Sequence, residues 1–162
     1  MTQPHIIAMA KFTGDLLEYN EDLIDFDRTN TQQGDLNTSY IVVDDSSIAN
    51  KLSSGRKFND VDEIMNYNES WSQQITLEFY GDEAYTNARN FSLLCASQAA
   101  YEIKDRLGLT VSHVSQSTDV KKLLGTEYGN RIHLTMSVKY NPSIDVDVLR
   151  IDTAQFEFLE DK

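Results

Sequence analysis

The sequence predicts an α+β fold: a mixed or antiparallel sheet packed by one long α-helix, with a shorter N-terminal helix beside it. Three observations carry this. From Trp71 to Phe79 the bulky apolar side chains fall at 71, 75, 77 and 79, the period of two of a half-buried strand. Ala84, Ala88, Phe91, Cys95, Ala99, Ile103 and Leu107 follow at spacings of three or four, one apolar stripe on a helix of about 25 residues. Arg131 to Tyr140 then alternates cleanly, with Ile132, Leu134, Met136, Val138 and Tyr140 on one side.

The elements follow in order. Ile6, Met9, Phe12, Leu16 and Leu17 have helix-like spacing over residues 5–20, interrupted by Gly14. Leu23 to Asp27 reads as a short strand or extended arm, and the polar stretch 29–38 as a loop. Tyr40 to Val43 is a β-branched strand that runs through Asp44-Asp45 into an extended segment ending near Leu52. Residues 53–60 (SSGRKFND) read as a turn or hairpin tip, and Ile64 to Phe79 as extended. Gly81 permits a sharp turn from strand to helix, and Asp82 is placed to cap that helix. Gly108 is placed to end it in a left-handed cap. Val111 to Val114 is a short strand, and Asp119 caps a single helical turn over Val120 to Leu124. Asn141-Pro142-Ser143 is a turn that makes the flanking strands antiparallel, and Ala154 to Leu159 closes the chain as a strand. Length fits one domain over 1–162, with an N-terminal helix and extended arm in 1–60 and a strand-helix-strands core in 61–160.

Composition narrows the function classes. The net charge of −12 repels phosphate, which disfavours sequence-independent nucleic-acid binding. The single cysteine, Cys95, lies on the apolar helix stripe, the place of an inert buried thiol, and no disulfide is possible within one chain. This fits a reducing cytosol, and neither a signal peptide nor a membrane span is read. His5, His113 and His133 have no second ligand at metal spacing, so no metal site is expected. No nucleophile elbow, phosphate-binding Gly-rich loop or C-x-x-C pair is present. The acid pairs Asp44-Asp45, Asp62-Glu63 and Asp145/Asp147 have the chemistry for Mg²⁺ or acid–base work, but a chain this acidic carries such pairs on solvated faces by composition. The expectation is a non-enzyme with no cofactor.

At FYGDEAYTNARNF, GLTVSHVSQSTDVKKLLGTEYGNRIHLTMSVKY and VDVLRIDTAQFEF the sequence resembles the neck or tail terminator proteins of tailed bacteriophages. The shared pattern is an aromatic-Tyr-Gly before a long helix, a Gly-Leu-x-Val strand, an Asp-Val turn, a Tyr-x-x-Arg step into a strand, and a closing alternating strand. It covers Trp71 to Phe158. The resemblance implies a structural virion protein, assembled in the host bacterial cytoplasm as a cyclic homo-oligomer, usually a hexamer. Such a ring caps the head-proximal end of the tail and docks the head-side connector or stopper on one side and the tail tube on the other. Genomic DNA passes through its lumen without specific binding, and no membrane is involved. The alternatives are another head–tail adaptor, a tail tube component, a carboxylate-dependent hydrolase or an acidic DNA-mimic inhibitor.

Within the terminator reading, the acids expected to line the lumen are Asp44, Asp45, Asp60, Asp62 and Glu63, with Asp145 and Asp147 in reserve. Arg131 is expected to pin the 119–130 loop by pairing with Asp119, the carboxylate at the far end of that loop.

Overall fold

The computed structural model describes residues 4–26, 38–45, 47–115, 117–120, 122–124 and 127–148, with the backbone alone at 113, 122–124 and 127–129. The chain is α+β; the described residues form three α-helices and a mixed eight-stranded sheet. Its elements are α1 (Pro4–Leu17), a 3-10 turn (Glu21–Leu23), β1 (Ile24–Phe26), β2 (Tyr40–Asp45), β3 (Asn50–Asn59), β4 (Ile64–Tyr80), α2 (Ala84–Leu94), α3 (Gln98–Leu107), β5 (Leu109–Val114), β6 (Thr118–Asp119), β7 (Lys122–Leu124), β8 (Glu127–Gly129), β9 (Arg131–Tyr140) and β10 (Ser143–Asp147). β7 and β8 form a separate hairpin.

The 17-residue β4 is the spine. One edge of it carries β2 opposite Ile75–Tyr80 and then β3 opposite Ile64–Ser72. The other edge carries β9 opposite Trp71–Tyr80 and then β10 opposite Ile64–Asn68. Outside these, β1 pairs parallel with β2, while β5 and β6 pair with β9.

The helices cover one face of the C-terminal half of β4. Ile75, Leu77 and Phe79 point into the core with Ile41 and Val43 of β2 and Ile132, Leu134, Met136 and Val138 of β9. From the other side come Ile6, Met9, Phe12 and Leu16 of α1, Ala84, Ala88 and Phe91 of α2, and Ala100 of α3. Phe91 meets Phe12 edge-on at 5.9 Å and Phe79 at 6.2 Å. Gly14 does not interrupt α1, and its missing side chain lets Ile24 approach: an added Cβ would lie 3.2 Å from Ile24 Cδ1.

Four expectations need correction. The long helix is two helices. Ser97 takes an extended conformation and its hydroxyl accepts the Ala100 N–H, so it caps a fresh helix. The break resets the helical phase, and Ala100 rather than Ala99 is buried. Residues 53–59 are strand, not turn. The chain reverses instead at Asp60–Glu63, where Asn59 Oδ1 accepts the Val61 N–H and Glu63 takes φ +54°. Val120–Leu124 is not a helical turn: Lys122–Leu124 is a strand paired with Glu127–Gly129. β9 and β10 are not a hairpin. Both pair with β4, and the Glu69 N–H donates to the Pro142 carbonyl (3.0 Å), so the ladder continues past a proline that cannot donate. The expected closing strand at 154–159 lies outside the described residues, as does most of the 29–38 loop.

Candidate functional site

Among the described residues the helix-packed core takes only Ile75, Leu77 and Phe79 from β4, all in its C-terminal half. In the N-terminal half the sheet is a three-stranded arm, β3–β4–β10, and every residue of β3 and β10 is exposed. At ~3.3 Å per residue its nine-residue central strand, 64–72, extends about 30 Å.

Alternation gives the arm two chemically different faces. Phe58, Met65 and Val146 form one cross-strand row, and Arg56, Tyr67 and Ile144 the next. Ile144 is 63% exposed, Tyr67 42%, Val146 42% and Phe58 39%, so this apolar face is largely open to solvent among the described residues. On the opposite face Lys57, Asn66 and Asp145 align, and Asn66 Nδ2 donates to Asp145 Oδ1 at 2.7 Å. Gly55 faces Asn68 on that side with no room for a side chain: an added Cβ would sit 2.7 Å from Asn68 Oδ1. Lys51 pairs with Glu69 at the arm root.

The candidate acids fall in two places. Asp60, Asp62 and Glu63 form the exposed tip of the arm, where Asn59 Nδ2 donates to Asp62 at 2.6 Å. The reserve residues join them: Asp145 lines one shallow hollow with Asp60 and Asp62, and Asp147 lies opposite Ile64. Asp44 and Asp45 sit at the end of β2, opposite Thr76 and Ile75. Measured along β4 they lie about 36 Å from the tip, so the fold does not unite the two groups.

At the strand-to-helix corner Gly81 has φ +85°, and an added Cβ would lie 2.6 Å from the Thr38 carbonyl oxygen. Asp82 does not cap the helix. The cap position is Glu83, without a side-chain bond of its own; the Ser39 hydroxyl accepts the Glu83 N–H at 3.1 Å. A loop from elsewhere in the chain does this work, which sequence spacing cannot reveal.

Arg131 pairs with Glu78, not with Asp119. Its Nη2 lies 2.8 Å from Glu78 Oε2, and the Tyr80 hydroxyl donates to the same oxygen at 2.6 Å. Tyr80 stacks on Tyr40 at 4.5 Å, and His133 Nε2 lies 3.6 Å from Glu78 Oε1. Asp119 is exposed on β6, held by backbone pairing with Ile132. Glu78 is 0% exposed. Burial alone would raise its carboxyl pKa, but the bonds from Tyr80 and Arg131 outweigh this and hold it below the ordinary value. The same carboxylate, with burial, pushes the Tyr80 hydroxyl far up. The parity of β4 carried the signal for this cluster: 78 and 80 are the even positions, facing away from the core, opposite 133 and 131 of β9.

His5 and Cys95 are packed into the body. His5 is buried, 2.6 Å from Gln73 Oε1, and stacks on Tyr140 at 4.0 Å. Burial lowers its pKa. Burial likewise pushes the Cys95 thiol up to about 11, the opposite of an activated nucleophile. Among the described residues no group of His, Cys, Asp and Glu is arranged to hold a metal ion, and no helix is long and apolar enough to cross a membrane.

The arm therefore presents an apolar face that is exposed among the described residues. The family described as phage neck terminator protein matches residues 8–162. The chain belongs to the phage neck terminator family. The match takes in α1 from Ala8 onward and the whole arm, well beyond the Trp71–Phe158 stretch that carries the resemblance in sequence. A neck terminator is a structural protein of the bacteriophage virion, and it works by contact with other virion proteins. No curated protein matches the chain.

Proposed function

We propose that this neck terminator forms a closed ring, most often six-fold, at the head-proximal end of the tail. The ring assembles in the host cytoplasm, ends the tail, and offers one face to the tail tube and the other to the head-side connector or stopper. The observation that carries this reading is the arm: beyond the packed body it presents a sheet whose apolar face is exposed among the described residues. A contact between an arm and a different surface of the next copy is heterologous, and such contacts close into a ring when the rotation per copy divides a full turn.

Genomic DNA passes through the lumen in this reading, and acids line it. The arm tip, with Asp60, Asp62, Glu63, Asp145 and Asp147, is the denser cluster; Asp44 and Asp45 form the second candidate. Carboxylates within about a Debye length, ~8 Å at physiological salt, repel the duplex and prevent the grip that phosphate contacts would give. The test is a phage lacking the chain, complemented with variants. Without it, tails should fail to join heads, and tail length should lose its upper limit. Lysine at Asp60, Asp62 and Glu63 should allow particles to form but stall genome release in vitro. Normal tails joined to heads in the absence of the chain would refute the terminator role. Normal release from lysine-bearing particles would refute the acidic lumen.

A further inference from the structure

We infer that the arm of one copy docks on the β1 edge of a second copy of this chain: β3 supplies cations and an aromatic anchor, and the groove between α1 and β1 receives them. The inference rests on the ring reading and names the contact that would close it.

Charge points to the pairing. The chain carries −12 overall, so two copies repel unless the contact is locally complementary. β3 carries Lys51, Arg56 and Lys57 and no acid. Lys57 shares a hollow with Asp60, Asp62 and Asp145, whereas Arg56 lines a separate one with Ser54, Gly55 and Tyr67 and is the cation set apart from the tip acids. Lys51 is held by Glu69, but Arg56 and Lys57 form no ion pair among the described residues. The opposite balance surrounds β1. Residues 18–26 (EYNEDLIDF) hold Glu18, Glu21, Asp22 and Asp25 with no cation, and the first three are exposed.

Shape agrees. A groove of about 130 Å³ is lined by Ile7, Ala10, Lys11, Glu21, Ile24 and Phe26. That is the scale at which an apolar cavity takes one aromatic ring. Phe58, 39% exposed, lies on the same face of β3 as Arg56, two residues away. Among the described residues β1 pairs only with β2 and β3 only with β4, so each presents an open backbone edge.

The contact cannot be made within one copy. Ile24 lies beside Ile41, which faces Phe79, while Phe58 faces Met65. Along β4 these levels are about 46 Å apart at ~3.3 Å per residue. Donor and acceptor are different surfaces, so each copy can give one arm and receive another.

Reversal of charge tests this in the full-length protein by sedimentation equilibrium. Arg56→Glu with Lys57→Glu should weaken association by about 100-fold or more, the scale of like-charge juxtaposition across an interface. Glu21→Lys with Asp22→Lys should do the same. An equimolar mixture of the two variants should restore association, since every arm then meets an opposite charge. All four positions are exposed, so melting temperatures should not change. Unchanged association of both variants, or a mixture no stronger than its components, overturns the contact and leaves a ring built by other surfaces. Restored association that stops at a dimer supports the contact and refutes the ring. A wild-type chain that stays monomeric when concentrated, with arms of neighbouring copies away from β1 in the assembled tail, overturns the contact as well.

Discussion

Glu78→Ala should be the most destabilising single change in the described sheet. The carboxylate is 0% exposed and accepts from Arg131 Nη2 at 2.8 Å and from the Tyr80 hydroxyl at 2.6 Å. Its removal leaves a guanidinium side chain only 14% exposed opposite a void. Breaking a buried pair by deleting one partner costs about 3–5 kcal/mol, because the other charge remains desolvated. For a chain of this size, 1 kcal/mol shifts Tm by about 2–4 °C, so a fall of roughly 6–20 °C is expected. Glu78→Gln keeps the shape and an acceptor but loses the charge assistance, and should cost about 1–2 kcal/mol. Glu78→Leu combined with Arg131→Met removes both charges and should recover most of the loss, since an apolar replacement of a buried pair is close to neutral. Thermal and urea unfolding followed by circular dichroism give the comparison. A Tm for Glu78→Ala within about 2 °C of wild type would show that the cluster is solvated in solution. A double variant no more stable than Glu78→Ala would show that the loss has another origin.

Further outcomes follow from other sites. Gly81→Val should cost about 2–4 kcal/mol in the same melts, combining backbone strain at φ +85° with a Cβ forced against the Thr38 carbonyl oxygen. Ser97→Ala should cost about 1 kcal/mol through the lost cap of α3, whereas Asp82→Ala should stay within about 0.5 kcal/mol. Stability should fall in acid in two stages. His5 and Glu78 both have folded pKa values below their unfolded ones, so each contribution is complete above the unfolded value and is lost as pH falls through the folded one. The first loss therefore begins below pH 6.5 and the second below 4.5, and Gln in place of His5 should remove the first. Cys95, with its thiol raised to about 11, should react slowly with a thiol reagent at neutral pH in the folded protein and readily in urea.

Period and parity made the body legible in the sequence. β9 was readable end to end because Ile132 to Val138 alternate without exception, and the C-terminal part of β4 because Ile75, Leu77 and Phe79 alternate with polar neighbours, with Met65, Tyr67 and Trp71 on the same parity upstream. The same rule misled in the arm. Ser53, Ser54 and Gly55 look like a turn because a strand exposed on both faces carries no apolar period, and only pairing with β4 keeps it extended. The helix break was hidden because Cys95-Ala96-Ser97 contains no Gly or Pro; Ser97 acts through its hydroxyl alone. Asn141-Pro142 gave a true interruption but a false reversal, since nothing local shows that β10 returns to the edge of β4.

The site was legible in composition more than in position. The acids of the arm tip were recognisable as a cluster because Asp60, Asp62 and Glu63 are adjacent in sequence, while the approach of Asp145 depends on β10 pairing with β4. The partner of Arg131 was missed for a similar reason. Asp119 is nearer along the chain, but Glu78 lies on the neighbouring strand, two residues from Tyr80, the position opposite Arg131. The basic character of β3 was visible as Arg56-Lys57, yet its meaning depends on finding those cations at an open sheet edge.

The central claim is a ring of touching copies at the end of the tail, and symmetry-resolved electron cryomicroscopy of the neck tests it most directly. The account predicts a closed ring of this chain, six-fold in the commonest case, with each arm reaching the next copy and carboxylates facing the channel. A single copy per particle, subunits that do not touch, or a channel lined mainly by Arg56, Lys57, Lys121 and Lys122 would contradict it.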